Sequence, residues 1–295
     1  MSRFLLLALF GLIAQMIDGS LGMAYGVTST SLLLASGIAP AIASASVHMA
    51  EVGTTLASGV AHWRFGNTDW RTVGFLAVPG GIGAFSGAVF LSSVSAEMII
   101  PAVAIILSLL GVYVLVRFAL LGGTIKVRPG SLSARFLLPL GLFAGFLDAA
   151  GGGGWGPIST PTLLASGRMQ PRKAIGTVAA SEFVVATCAT IGFFFALSRE
   201  AFAFPVVGAL LLGGMVAAPF AAWLVRRLNP RVLGSAVGGL ILLTNGRTLL
   251  REFGVAPDVR LVVYGLFVTV WVAAIAYAWR GIRADGMSFI SSPAD

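Results

Sequence analysis

Residues 11–37 read GLIAQMIDGSLGMAYGVTSTSLLLASG, and residues 141–167 read GLFAGFLDAAGGGGWGPISTPTLLASG. Aligned without gaps, the two segments are identical at roughly half of their 27 positions. Each has an apolar limb, an aspartate (Asp18, Asp148), a glycine-rich break and a hydroxyl-rich limb ending in Leu-Leu-Ala-Ser-Gly. Broken apolar segments at matching positions of two halves are the sequence sign of a binding site at membrane depth.

The surrounding chain supplies the membrane. It has 295 residues, of which 57% are hydrophobic and 10% charged, against about 25% charged in soluble domains. Apolar runs of the length needed to cross a ~30 Å hydrocarbon core recur throughout. Lipid admits only helices or closed barrels, and ten-residue alternating strands are absent, so the expected class is an all-α membrane protein. The net charge of +8 comes from residues in short loops, which is the pattern of positive-inside topology rather than of nucleic-acid binding. The single cysteine, Cys188, sits in an apolar run and has no partner for an intrachain disulfide. Residues 1–17 look like a signal peptide, but the same pattern returns at 135–147, so the N-terminus is read as retained structure.

Apolar segments fall at 4–35, 40–62, 71–92, 97–117, 134–166, 172–197, 202–224, 231–249 and 259–280. The stretch 118–133 mixes Gly, Pro, Ser, Lys126 and Arg128 and reads as a linker. The repeat continues beyond the opening motif: Pro40 pairs with Pro171, Ala43 with Ala174, Ser46 with Thr177, Glu51 with Glu182, and Gly80-Gly81 with Gly213-Gly214. The expected organisation is a first repeat at 1–120, a cytoplasmic linker at 121–133, a second repeat at 134–250, and an additional helix and tail at 251–295.

Counting Lys and Arg tests the topology. Nine simple crossings divide the 19 basic residues 11 to 8, which is little bias. If 4–35 and 134–166 each enter and leave by one face, 14 of 19 gather on one side. Arg3, Arg199, Arg247, Arg251 and Arg260 are left on the other. The positive-inside rule favours the second arrangement. The limbs, read as about 10–16 residues, are also short against the ~20 needed to span. The expectation is two re-entrant helical hairpins plus about seven transmembrane helices. Three crossings lie between the hairpins, so the repeats have inverted topology, with the N-terminus outside and the C-terminus cytoplasmic.

Helix N-termini expose unpaired N–H groups and bind small anions without a cationic side chain. Gly152, Gly153, Gly154, Trp155 and Gly156 precede Pro157, which suits the first position of a second limb. Ser159 and Thr160 follow. Gly22, Tyr25, Thr28, Ser29 and Thr30 occupy the corresponding stretch of the first copy. These twelve residues are the candidate substrate contacts; the bland alternative is that Gly and Ser merely allow close helix packing in lipid. Four carboxylates lie at membrane depth, Asp18, Asp148, Glu51 and Glu182, in two repeat-related pairs. Such groups are functional candidates by default. Proton coupling is one role; a cap on the following half-helix, or a bond across helices, is the other. His48 lies one turn before Glu51, but its repeat mate is Ala179, which argues against a metal pair. His62, Trp63 and Arg64 read as an interfacial helix end. Arg172 and Lys173, with Arg168, either attract anions at a cytoplasmic mouth or enforce topology. No nucleophile-elbow, Walker or paired-cysteine motif is present, so neither an enzyme nor a cofactor is expected.

Asp148-Ala-Ala-Gly-Gly-Gly-Gly, Pro161-Thr-Leu-Leu-Ala-Ser-Gly167 and Pro171-Arg-Lys-Ala-Ile-Gly-Thr177 resemble the signature of the TauE/SafE sulfite exporter family of bacterial inner-membrane proteins. The resemblance covers essentially the whole chain as two repeats, and the second copy is the closer match. In the first, Gly19-Ser-Leu-Gly-Met-Ala-Tyr-Gly26 replaces the glycine run. The resemblance implies ATP-independent transport of a small sulfur-containing anion, such as sulfite or a sulfonate, across the inner membrane. The expected partners are that anion, the lipid bilayer and, as candidate coupling ion, protons. No nucleic acid is expected, and a homo-oligomer stays open. Two other readings stay open as well: an anion channel of the same architecture, and a non-transporting scaffold or sensor subunit.

Overall fold

The computed structural model describes residues 3–23, 25–35, 38–120, 130–197, 202–224 and 229–284. Among them no strand occurs. Eleven helices follow one another: α1 (Arg3–Leu21), α2 (Tyr25–Ala35), α3 (Pro40–Arg64), α4 (Trp70–Ser93), α5 (Ala96–Leu115), α6 (Ala134–Gly151), α7 (Trp155–Ala165), α8 (Pro171–Ala196), α9 (Phe204–Leu224), α10 (Pro230–Glu252) and α11 (Pro257–Ala284). A π-helical turn, Val116–Leu120, continues α5. The helix lengths recur. α1 to α5 have 19, 11, 25, 24 and 20 residues. α6 to α10 have 18, 11, 26, 21 and 23.

Local chemistry sets the boundaries. Prolines open α3, α8 and α10 at the first turn, where the missing N–H costs nothing. The Asp69 carboxylate caps α4 by accepting from the Arg71 N–H and the Thr72 hydroxyl. The first limbs, α1 and α6, are longer than the 10–16 residues expected. Gly19 and Gly151 do not stop them; the helices run past Asp18 and Asp148 until Gly22 and Gly152, at φ +67° and +72°. That conformation is the usual glycine helix stop.

Among the described residues, six helices are long and apolar enough to cross a membrane, within α1, α4, α6, α8, α9 and α11. α3 has the length but carries Ser, Thr, His and Glu along its buried side. The chain is a multi-pass, all-α membrane protein. The expected linker 121–133 falls mostly outside the described residues, as does the tail after residue 284.

The helices form two compact units. The first, Met1–Ile99 with Val127–Val225, holds α1 to α4 and α6 to α9. The second, Ile100–Lys126 with Arg226–Asp295, holds most of α5 together with α10 and α11. Each unit therefore draws on both sequence halves. Within the first, α1 packs on α9 and α6 on α4, so the helix before each glycine break lies against the fourth helix of the other half. α3 packs on α9, α8 on α4, and α3 and α8 pack on each other. Glycines allow these contacts. A Cβ on Gly213 would stand 1.9 Å from the Ala8 carbonyl oxygen, and one on Gly145 would stand 2.1 Å from that of Gly80. Small residues permit such backbone approach in lipid, where packing and not water drives association.

Candidate functional site

The site is built where the two helix breaks, the tips between α1 and α2 and between α6 and α7, meet. Gly22 closes α1 and Gly152 closes α6, each donating its N–H to the aspartate four residues back, at the carbonyls of Asp18 and Asp148. The chain then turns into α2 and α7. Both aspartate side chains reach forward to the next limb. The Asp148 carboxylate accepts from the N–H groups of Gly154 (2.7 Å) and Trp155 (2.9 Å) through one oxygen. Asp18 accepts from Tyr25 N–H at 3.3 Å. An anionic side chain at a helix N-terminus satisfies orphan donors and faces the positive end of the helix dipole.

The tips are tied to each other. The Thr30 hydroxyl donates to the Gly152 carbonyl (2.7 Å), and the Thr160 hydroxyl donates to the Gly22 carbonyl (2.6 Å). Thr30 and Thr160 are repeat mates, and so are Gly22 and Gly152, so the two bonds are reciprocal. Backbone meets backbone between them. A Cβ on Gly153, at φ +141°, would lie 2.3 Å from the Val27 nitrogen, and one on Gly26 would lie 2.8 Å from the Gly153 Cα.

Around this contact lies a cavity of about 10 Å³, room for roughly one water. Asp18, Asp148 and Glu182 line it, with Gly26, Val27, Gly153, Gly154, Gly156 and Pro157. Glu51 comes in from α3: its Oε1 is 3.0 Å from the point where a Gly26 Cβ would stand. All four carboxylates are buried. Among the described residues no Lys or Arg lies within ion-pair distance of any of them; the one basic group at the site is His48, also buried. Its Nε2 is 3.1 Å from Asp148 Oδ2 and 3.9 Å from Glu51 Oε2.

The other candidates divide. Gly153, Gly154 and Gly156 reach the cavity, as do three of the four carboxylates. Thr30 and Thr160 spend their protons on the opposite tip. Trp155 is buried, with its indole N–H on the Val178 carbonyl and its ring against Gly80. Tyr25 places its hydroxyl on the Leu210 carbonyl. Ser29, Ser159 and the Thr28 hydroxyl are buried without a hydrogen-bond partner. Most other serines and threonines of these helices back-bond to a carbonyl three or four residues earlier, as Ser20, Thr55 and Thr190 do. Arg172 and Lys173 stand apart from the cavity at the start of α8, on the Gln170 side chain and the Thr68 carbonyl. His62 is buried and bonds the Gly19 carbonyl. Sequence reasoning weighed His48 only against Glu51; its closer partner lies 100 residues away, beyond any local pattern. Gly26 and Val27 were likewise not singled out, and Pro157, expected at the first position of the second limb, stands third in α7, which begins at Trp155.

Comparison with known proteins agrees with this architecture. Residues 7–248 match the family model "Sulfite exporter TauE/SafE". The chain is 49% identical over 278 residues to the "Probable membrane transporter protein YtnM" of Bacillus subtilis (strain 168), covering 94% of this chain and 93% of that one. No solved structure matches it. The chain belongs to the sulfite exporter TauE/SafE family of membrane transporters.

Proposed function

We propose that this chain is a secondary transporter of a small anion, a sulfur oxyanion or organosulfonate, that works without ATP by alternating access. The observation that carries the reading is the pair of broken helices whose tips meet through reciprocal Thr30–Gly152 and Thr160–Gly22 bonds. Carriers with two such repeats hold substrate near the bilayer midplane, at the repeat interface. Midplane depth fits: Glu51 and Glu182 face the tips from near the middles of the 25-residue α3 and the 26-residue α8. In this reading 4–35 and 134–166 are re-entrant hairpins of two inverted repeats, 1–120 and 134–250, with a further helix in 251–295. The N-terminus lies outside and the C-terminus in the cytoplasm of a bacterial inner membrane.

Electrostatics favours proton coupling. Asp18 and Asp148 already take the N–H groups of Tyr25, Gly154 and Trp155, which leaves an anion the remaining first-turn N–H groups of α2 and α7, with Ser29, Ser159 and Thr28 as uncommitted hydroxyls. The same place holds Asp18, Asp148, Glu51 and Glu182. A unit anion 4 Å from one ionised carboxylate is opposed by about 4 kcal/mol at an effective dielectric of 20. Protons entering with the anion remove that opposition.

Purified protein is tested by thermal shift against sulfite, thiosulfate, sulfoacetate, taurine and simple carboxylates, because a ligand of the folded state raises its apparent stability. A sulfur anion is expected to give the largest shift. Counterflow in proteoliposomes then separates carrier from channel: a carrier accumulates labelled substrate against unlabelled substrate, and a channel does not. Absence of both binding and flux for every anion would overturn the reading and leave the scaffold or sensor alternative.

A further inference from the structure

We propose that the contact between His48 Nε2 and Asp148 Oδ2 is the residence of the coupled proton, and that this proton fastens the second hairpin to α3. The inference rests on the anion-carrier reading and deepens it. Its ground is a hydrogen-bond count. His48 Nδ1 lies 2.8 Å from the Ser44 carbonyl, which only accepts, so Nδ1 carries a hydrogen. The Ser44 hydroxyl donates to the Ala149 carbonyl and leaves its lone pair to the same Nδ1–H. In a neutral ring with hydrogen on Nδ1, Nε2 presents a bare lone pair. That lone pair would face Asp148 Oδ2 at 3.1 Å, with Glu51 Oε2 at 3.9 Å. Oxygen and nitrogen lone pairs repel, so a further proton must lie between Nε2 and Oδ2. The other Asp148 oxygen already accepts two N–H groups and has no room for it.

The groups facing His48 offer no substitute. Asp148 on α6 and Glu51 on α3 are acidic, the α8 neighbour is the Phe193 ring at 6.0 Å, and Asp18 and Glu182 line the adjoining cavity. No Lys or Arg among the described residues pairs with any of the four carboxylates. Release of the proton to water leaves Asp148 ionised and His48 neutral with hydrogen on Nδ1 only. The contact then becomes repulsive and opens. Asp148 also holds the first two N–H groups of the α7 limb, so the protonation state of His48 is read directly by the tip. The first hairpin has no such device, because Ala179 stands at the repeat position of His48. One proton per cycle is therefore expected from this place.

Histidine nitrogen spectroscopy tests the residence of the proton without any substrate. The chain has only two histidines, so ¹⁵N-histidine protein in bilayers gives two ring signals, and His62→Gln assigns them. His48 is expected to show a protonated or shared Nε2 near neutral pH, and Asp148→Asn is expected to shift it. A bare-lone-pair Nε2 signal, the same in wild type and Asp148→Asn, overturns the proposal. The coupling arm uses proteoliposomes enclosing a pH dye, with thiosulfate and methanesulfonate as probes, both of which stay deprotonated near neutral pH. Wild type is expected to acidify the lumen on anion uptake. His48→Gln that still elutes as folded protein in size-exclusion chromatography is expected to lose the acidification. Acidification by His48→Gln equal to wild type also overturns the proposal. If no probe binds or moves through wild type, the anion-carrier reading fails, and the nitrogen signal still decides where the proton sits.

Discussion

The two tips, where α1 breaks into α2 and α6 into α7, have one backbone plan and different chemistry. Both close on a left-handed glycine, both carry an aspartate cap, and both receive a threonine hydroxyl from the other. The second tip then departs. Asp148 holds two N–H groups at 2.7 and 2.9 Å and His48 at 3.1 Å, whereas Asp18 holds one N–H at 3.3 Å. Gly153 approaches Val27 backbone to backbone, while its repeat mate Met23 buries a full side chain. Shared geometry thus fixes how the tips meet, and the unshared residues give the second tip most of the hydrogen bonds and, among the described residues, the one aspartate paired with a histidine.

The largest break in this comparison is expected from Gly153→Val against Met23→Ala. At Gly153 a side chain meets both a positive φ and the Val27 nitrogen at 2.3 Å, so folded protein should be lost, as judged by size-exclusion chromatography in detergent. Met23→Ala removes a buried side chain and should cost about 2–5 kcal/mol while leaving folded protein. Equal tolerance of both changes would erase the distinction between the tips.

Next come the aspartates. Asp148→Ala leaves a buried partner without its counter-charge, a loss of about 3–5 kcal/mol. Asp18→Ala removes only a cap, a loss of about 0.5–2 kcal/mol. Denaturant unfolding in mixed micelles should rank them in that order, and the reverse order would contradict the asymmetry. Thr30→Val and Thr160→Val sharpen the shared part. Each removes one hydroxyl–carbonyl bond, so each should cost about 1 kcal/mol, and the two should match. Because they close one contact, the double change should depart from additivity; exact additivity would mean that the bonds act separately. The smallest effect is expected from Lys173→Ala, whose amine donates to the Thr68 carbonyl at 3.1 Å. Stability should move by no more than about 0.5 kcal/mol, and substrate affinity should stay within twofold in a binding titration.

Much of this was legible in residues. The duplicated Asp-Gly-hydroxyl motif located both tips, because a positive-φ stop and an N-terminal cap are local devices that leave local signatures. The four carboxylates stood out because an acid at membrane depth is rare enough to name itself. The Asp caps were readable too, since donor and acceptor lie within seven residues. The reach of α1 and α6 past the expected limb length was missed because glycine inside a helix does not always end it. The roles of Thr30 and Thr160 were missed because their acceptors lie 122 and 138 residues away.

Sequence alone settled the membrane setting and the helical class, which rest on composition and short-range periodicity, and also the duplication and the family, which rest on residue-by-residue likeness of motifs. Tertiary structure decided which half each helix packs against, which hydroxyls stay uncommitted, and that His48 belongs to Asp148. Those outcomes depend on distances between residues about a hundred or more positions apart, and no local spacing encodes them.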